Sequence, residues 1–128
     1  MQNIDIAALY AAANLIIIAL LALRVVQGRL SKRISLGTNG DEDMERRVRA
    51  HGNAIEYVPG LLICLVILAI MGAPVWALHV IGVLCTGGRI LHGIGFSTGF
   101  MLGRQLGTIL TWTGYYVGAG LLIWQALS

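Results

Sequence analysis

The chain alternates four long apolar runs with three polar breaks, and each run has the length of a membrane-crossing helix. The first covers about Ile4 to Gly28 (IDIAALYAAANLIIIALLALRVVQG). About 24 residues at 1.5 Å each reach roughly 36 Å, enough to cross a bilayer core. This run lacks the positive n-region and small-residue cleavage site of a signal peptide. The second run covers about Glu42 to Met71, the third about Pro74 to Phe96, and the fourth about Arg104 to Leu127. The first break, GRLSKRISLGTNGDED, carries a Thr-Asn-Gly turn signal, and Asp41 or Asp43 is placed to cap the helix that follows. Gly72 closes the second run, and Pro74 opens the third where its missing N–H costs nothing. A short loop around Ser97 to Gly103 joins the last two runs, and Pro59 predicts a kink near Glu56 to Pro59.

Composition agrees with this pattern. Apolar residues make up 57% of the 128 and charged residues 12%, against about 25% charged in a soluble domain. With a mean hydropathy of +0.79, the expectation is an all-α integral membrane four-helix bundle, one domain over 1–128. Of nine Lys and Arg residues, seven (Arg24, Arg29, Lys32, Arg33, Arg46, Arg47, Arg49) flank the first break. The positive-inside rule puts that connection in the cytoplasm and both termini on the opposite side. Topology thus accounts for the basic cluster, and no aromatic-interleaved basic patch suggests nucleic acid. It does not account for Arg89 and Arg104. Cys64 and Cys85 read as small apolar packing residues, and no spacing suits a metal site. Asn14 predicts an interhelical hydrogen bond, and Gly82, Gly87, Gly88, Gly93 and Gly95 predict close helix packing.

The second run carries the chemistry. Arg49, Asn53 and Glu56 fall at i, i+4 and i+7 on one helix face. Arg46 extends the stripe outward, Tyr57 flanks it, and Gly60 and Cys64 continue it inward. A cation, an amide and a carboxylate entering a bilayer need partners, because unpaired polar groups are costly there. Two readings stand side by side: the stripe ties helices together, or it binds a polar ligand. In the third run Arg89, His92 and Phe96 share a face at i, i+3 and i+7, and the same two readings apply to Arg89 and His92. His51 lies nearly opposite the stripe and reads as a structural or headgroup contact.

The patterns ERRVRAHGNAIEYVP and GRILHGIGF resemble the MAPEG family, the membrane-associated proteins in eicosanoid and glutathione metabolism, and most of all its small bacterial branch. The likeness covers the whole chain and is strongest over residues 41–96. It implies a homotrimer in a bacterial inner membrane that binds glutathione between subunits, near the cytoplasmic side. Position by position, it implies glutathione contacts for Arg49, Asn53, Glu56 and Tyr57, with Arg46 at the mouth and Arg29 at the end of the first helix. His92 stands where eicosanoid members have histidine or tyrosine, and Arg104 resembles the arginine that stabilises the glutathione thiolate. Two departures stand out. Phe96 replaces a frequent tyrosine, and Gly52 replaces a basic residue of prostaglandin E synthase.

Such a site has coherent chemistry. Arginine forks bind carboxylates bidentately and stay charged when partly buried. Glu56 suits an ammonium, or an arginine across a subunit boundary. A free thiol with a pKa of about 8.5 is only a few per cent ionised at neutral pH, and a neighbouring arginine such as Arg104 raises that fraction. The resemblance therefore implies a glutathione transferase or peroxidase acting on lipophilic electrophiles held among membrane lipids. Arg104 also fits a plain interfacial anchor, so a non-catalytic binding or scaffold protein on the same fold is the rival. A four-helix drug exporter is a third class, but its membrane-embedded carboxylate has no counterpart here beyond Asp5 at the outer end of the first run.

Overall fold

The structure is a computed structural model that describes residues 2–128. Its elements are α1 (Asn3–Lys32), α2 (Glu42–Ile70), α3 (Val75–Thr98) and α4 (Met101–Leu127), each long and apolar enough to cross a membrane. The protein is an all-α integral membrane four-helix bundle. Among the described residues α1 and α4 do not touch. Helices α2 and α3 form the middle of the bundle, with α1 against both on one flank and α4 against both on the other.

Helix α1 runs four residues past the predicted end at Gly28. Gly28 packs against α2, where an added Cβ would stand 2.8 Å from the Arg47 Cδ. Arg29 and Lys32 then occupy the last turn, where cations suit the helix dipole. Arg33 ends the helix in the left-handed region at φ 55°. Asp41 caps α2 by accepting the Met44 N–H at 2.7 Å. Its carboxylate also takes the Lys32 ammonium at 2.8 Å, and these two contacts hold its pKa below the usual carboxylate range. Arg47 reaches Asp43 at 2.9 Å and the Arg24 carbonyl at 2.9 Å, fastening the start of α2 to the end of α1.

The connection between α3 and α4 is shorter than the sequence suggests. Only Gly99 and Phe100 lie outside helix, with Gly99 at φ +73°, so most of the predicted loop 97–103 is helical. The short turn lets α3 and α4 lie almost backbone to backbone. A Cβ on Gly107 would meet both the Gly88 carbonyl oxygen and the His92 amide nitrogen at 2.6 Å. Of the five glycines expected to allow close packing, Gly88 and Gly95 face α4 and Gly82 faces the Tyr10 ring. Gly87 has open space beside it, and Gly93 is in ordinary contact with Leu21.

The apolar core gathers Val58, Leu61, Leu65 and Leu68 of α2 with Leu78 and Ile81 of α3. In lipid, van der Waals fit holds such a seam more than exclusion of water does. Helix α2 is continuous through Pro59. The Tyr115 hydroxyl fills the space beside Gly60 and donates to the Tyr57 carbonyl at 2.8 Å, while Cys64 packs on Gly118. The inner half of the stripe is therefore filled by α4. Asn14 behaves as its position suggests. Its amide donates to Thr86 at 2.8 Å, joining α1 to α3, and to its own-helix Tyr10 carbonyl at 2.9 Å.

Candidate functional site

Where α4 stops filling the stripe, a cavity opens between α2, α3 and α4. Its volume is about 580 Å³, within the roughly 300–1,000 Å³ of small-molecule sites. Arg49, Asn53 and Glu56 line it from α2, His92 and Phe96 from α3, and Arg104 and Thr108 from α4. A second cavity of about 340 Å³ adjoins it at the helix ends, sharing Glu45, Arg49, Phe96 and Arg104 and adding Arg46. Helical periodicity explains the α2 contribution, and the two-residue turn explains how Arg104 comes opposite Phe96. The guanidinium of Arg104 sits 5.0 Å from the Phe96 ring centroid, and His92 packs on the same Phe96 ring at 4.8 Å between centroids.

Charge is distributed unevenly around this space. Arg49 pairs with Glu45 at 2.9 Å, and Arg46 approaches Glu42 at 3.4 Å. Arg104 has no carboxylate partner among the described residues, and Glu56 has no cationic one. The cavity thus offers a free guanidinium, a free carboxylate, an amide, and a second guanidinium held by an exposed, displaceable glutamate. Among the described residues no cluster of His, Cys, Asp or Glu is arranged to hold a metal ion.

Three of the sequence-predicted residues line neither of these two cavities. Arg89 is 2% exposed and lies behind Asn53, donating Nη1 to the Asn53 side-chain oxygen and Nη2 to the Gly107 carbonyl and the Thr111 hydroxyl. Tyr57 stands edge-on to Tyr115, with ring centroids 5.9 Å apart, and beneath the Arg89 guanidinium. Arg29 donates to the carbonyls of Ile34, Ser35 and Gly37 at 3.4, 3.3 and 3.1 Å and lines a separate groove beside Leu30 and Arg33. Within one protomer it steadies the loop after α1. Sequence reasoning missed Glu45 and Thr108. Glu45 carries a signal, the Glu-to-Arg i, i+4 spacing to Arg49, whereas Thr108 is marked only by lying one turn past Arg104.

Residues 7–124 match the MAPEG family. The chain belongs to that family. Two similar relatives are the inner membrane protein YecN of Escherichia coli K12 and its namesake in strain O6:H1. Each is 30% identical over 107 residues, spanning 84% of this chain and 82% of the relative. No solved structure matches the chain. As a MAPEG protein it is a membrane protein of the family named for eicosanoid and glutathione metabolism, and its polar stripe opens on a cavity at the charged end of the bundle.

Proposed function

We propose that this protein binds glutathione in the cavity between α2, α3 and α4 and uses it against lipophilic electrophiles dissolved in the bilayer. The observation that carries the reading is the convergence of Arg49, Asn53, Glu56, His92 and Arg104 on one open space of about 580 Å³. Glutathione has two carboxylates, one ammonium and a thiol, and this donor set complements them. Arg49 and Arg104 suit anions, Glu56 suits the ammonium, and the Asn53 amide suits a carbonyl or carboxylate. Glutathione supplies a nucleophilic sulfur. Arg104 stabilises the negative charge on that sulfur, because a neighbouring guanidinium favours the ionised thiol. His92 and Phe96 form the apolar wall beside it. We assign the same reading a homotrimer, with Arg29 supplied across a subunit boundary. We also assign it a single transmembrane domain in a bacterial inner membrane, with the α1–α2 connection cytoplasmic and both termini on the other side.

A second reading keeps binding and drops chemistry. Phe96 carries no hydroxyl, and Arg104 rests on its ring instead of on a hydrogen-bonding partner. On that reading the protein is a glutathione-binding scaffold. Calorimetry of the detergent-purified protein with glutathione, together with an ultraviolet scan for thiolate, separates the two. Binding with a thiolate band that vanishes in Arg104→Ala supports the enzyme. Binding without the band supports the scaffold. No heat at millimolar glutathione removes both.

A further inference from the structure

Arg89 is an expensive residue to bury. Its side chain is nearly inaccessible, it faces no carboxylate among the described residues, and its Nε has no hydrogen-bond partner. The acceptors it does reach are neutral: the Asn53 side-chain oxygen, the Gly107 carbonyl and the Thr111 hydroxyl. Thr111 is itself oriented, since its hydroxyl donates to the Gly107 carbonyl at 2.8 Å and so turns a lone pair toward Arg89. The face of the Tyr57 ring, 5.9 Å away, adds a weak attraction. An apolar side chain in this place would commonly stabilise a fold as well or better, because a buried charge needs more compensation than neutral dipoles give. Stability is therefore a poor account of why a guanidinium sits here.

The contact with Asn53 supplies a better one. A guanidinium only donates, so the Asn53 atom it touches must be the oxygen. The amide NH2 must then point the other way. Asn53 lies on the wall of the 580 Å³ cavity, and its Nδ2 has no protein partner among the described residues. We infer that Arg89 is a positioning residue that locks the Asn53 amide with its NH2 facing the cavity, making position 53 a dedicated donor to a carbonyl or carboxylate of the bound molecule. Without that lock the amide flips, presenting oxygen as readily as nitrogen, and an anionic ligand is met half the time by an acceptor. The inference rests on the glutathione reading for the identity of the ligand, but the orientation of the amide does not depend on it.

The test is a double-mutant cycle in the purified full-length protein, read by glutathione calorimetry and by thermal melting. Arg89→Gln should weaken glutathione binding about tenfold, Arg89→Lys should recover most of that loss, and Arg89→Gln in an Asn53→Ala background should cost nothing further. Additive losses would overturn the inference, since a merely structural role predicts a lower melting point with no coupling to position 53. Asn53→Asp keeps an oxygen for Arg89 but removes the NH2. It should melt at or above the wild-type temperature while binding glutathione at least tenfold more weakly. A clear fall in its melting temperature would show that the Asn53 oxygen does not face Arg89. If the wild-type protein binds no glutathione, the functional reading fails, and the melting of Asn53→Asp still decides the orientation of the amide.

Discussion

Asn14 and Arg89 are both polar, both buried, and both placed on a helix seam, yet they end differently. Asn14, on the α1–α3 seam, is fully inaccessible and complete. Its amide donates to Thr86 and Tyr10, and its oxygen accepts the Cys85 thiol. Arg89, on the α3–α4 seam, leaves one donor orphaned and one charge unmatched, and the partner it holds opens onto a large cavity. A satisfied polar group closes a seam. An under-satisfied one beside open space is, on the proposed function, where stability is exchanged for binding.

That contrast breaks most readily at the cavity. Arg104→Ala should lower kcat/KM for a glutathione-dependent reaction by about 100-fold or more, in line with removing one charge-stabilising group, while glutathione still binds. Unchanged turnover would return Arg104 to the role of an interfacial anchor. Arg49→Ala should weaken glutathione binding by about tenfold to a hundredfold, the usual worth of a charge-assisted hydrogen bond, and calorimetry reads it directly. On the closed seam, Asn14→Ala should cost about 1 kcal/mol of stability and leave glutathione affinity where it was. A change in affinity there would erase the distinction between the two seams. Glu45→Gln should act in the opposite sense. By freeing Arg49 from its 2.9 Å partner it should tighten binding about two- to fivefold, because exposed pairs of this kind are worth at most about 1 kcal/mol.

The smallest effect belongs to the loop cap. The Asp41 carboxyl is held low by Lys32 and by the Met44 N–H, so its contribution to stability is present above the unfolded carboxylate pKa and is lost as pH falls through the folded value. Asp41→Ala should therefore melt lower than wild type at neutral pH, and the gap should close in acid. A gap that persists below about pH 2 would assign it to something other than the carboxylate.

The sequence made the helices legible because four apolar runs of membrane length leave a chain few other choices. It also made the α2 face of the site legible, because Arg49, Asn53 and Glu56 repeat at helical spacing. It was less informative about what stands behind that face. Nothing in local pattern distinguishes Arg89, one turn before His92, from a cavity-lining residue. The difference arises from Gly107 and Thr111 on another helix, which reach it only after α3 and α4 close on their glycines. Tyr57 was obscured in the same way by Tyr115. The loop around residues 97–103 was misjudged because its glycines read as breakers. In the structure Gly103 instead serves close packing, and Gly99 alone makes the turn.

The two-residue turn also bears on how the protein is made. A guanidinium in the middle of a lone membrane helix costs about 3 kcal/mol during insertion. Helix α3 would carry that burden if it entered the bilayer by itself, since two of the three acceptors that receive Arg89 belong to α4. With only Gly99 and Phe100 between the two helices, Gly107 and Thr111 follow the charge they cover by 18 and 22 residues. The α3–α4 hairpin thus carries within itself two of the three acceptors for its buried charge.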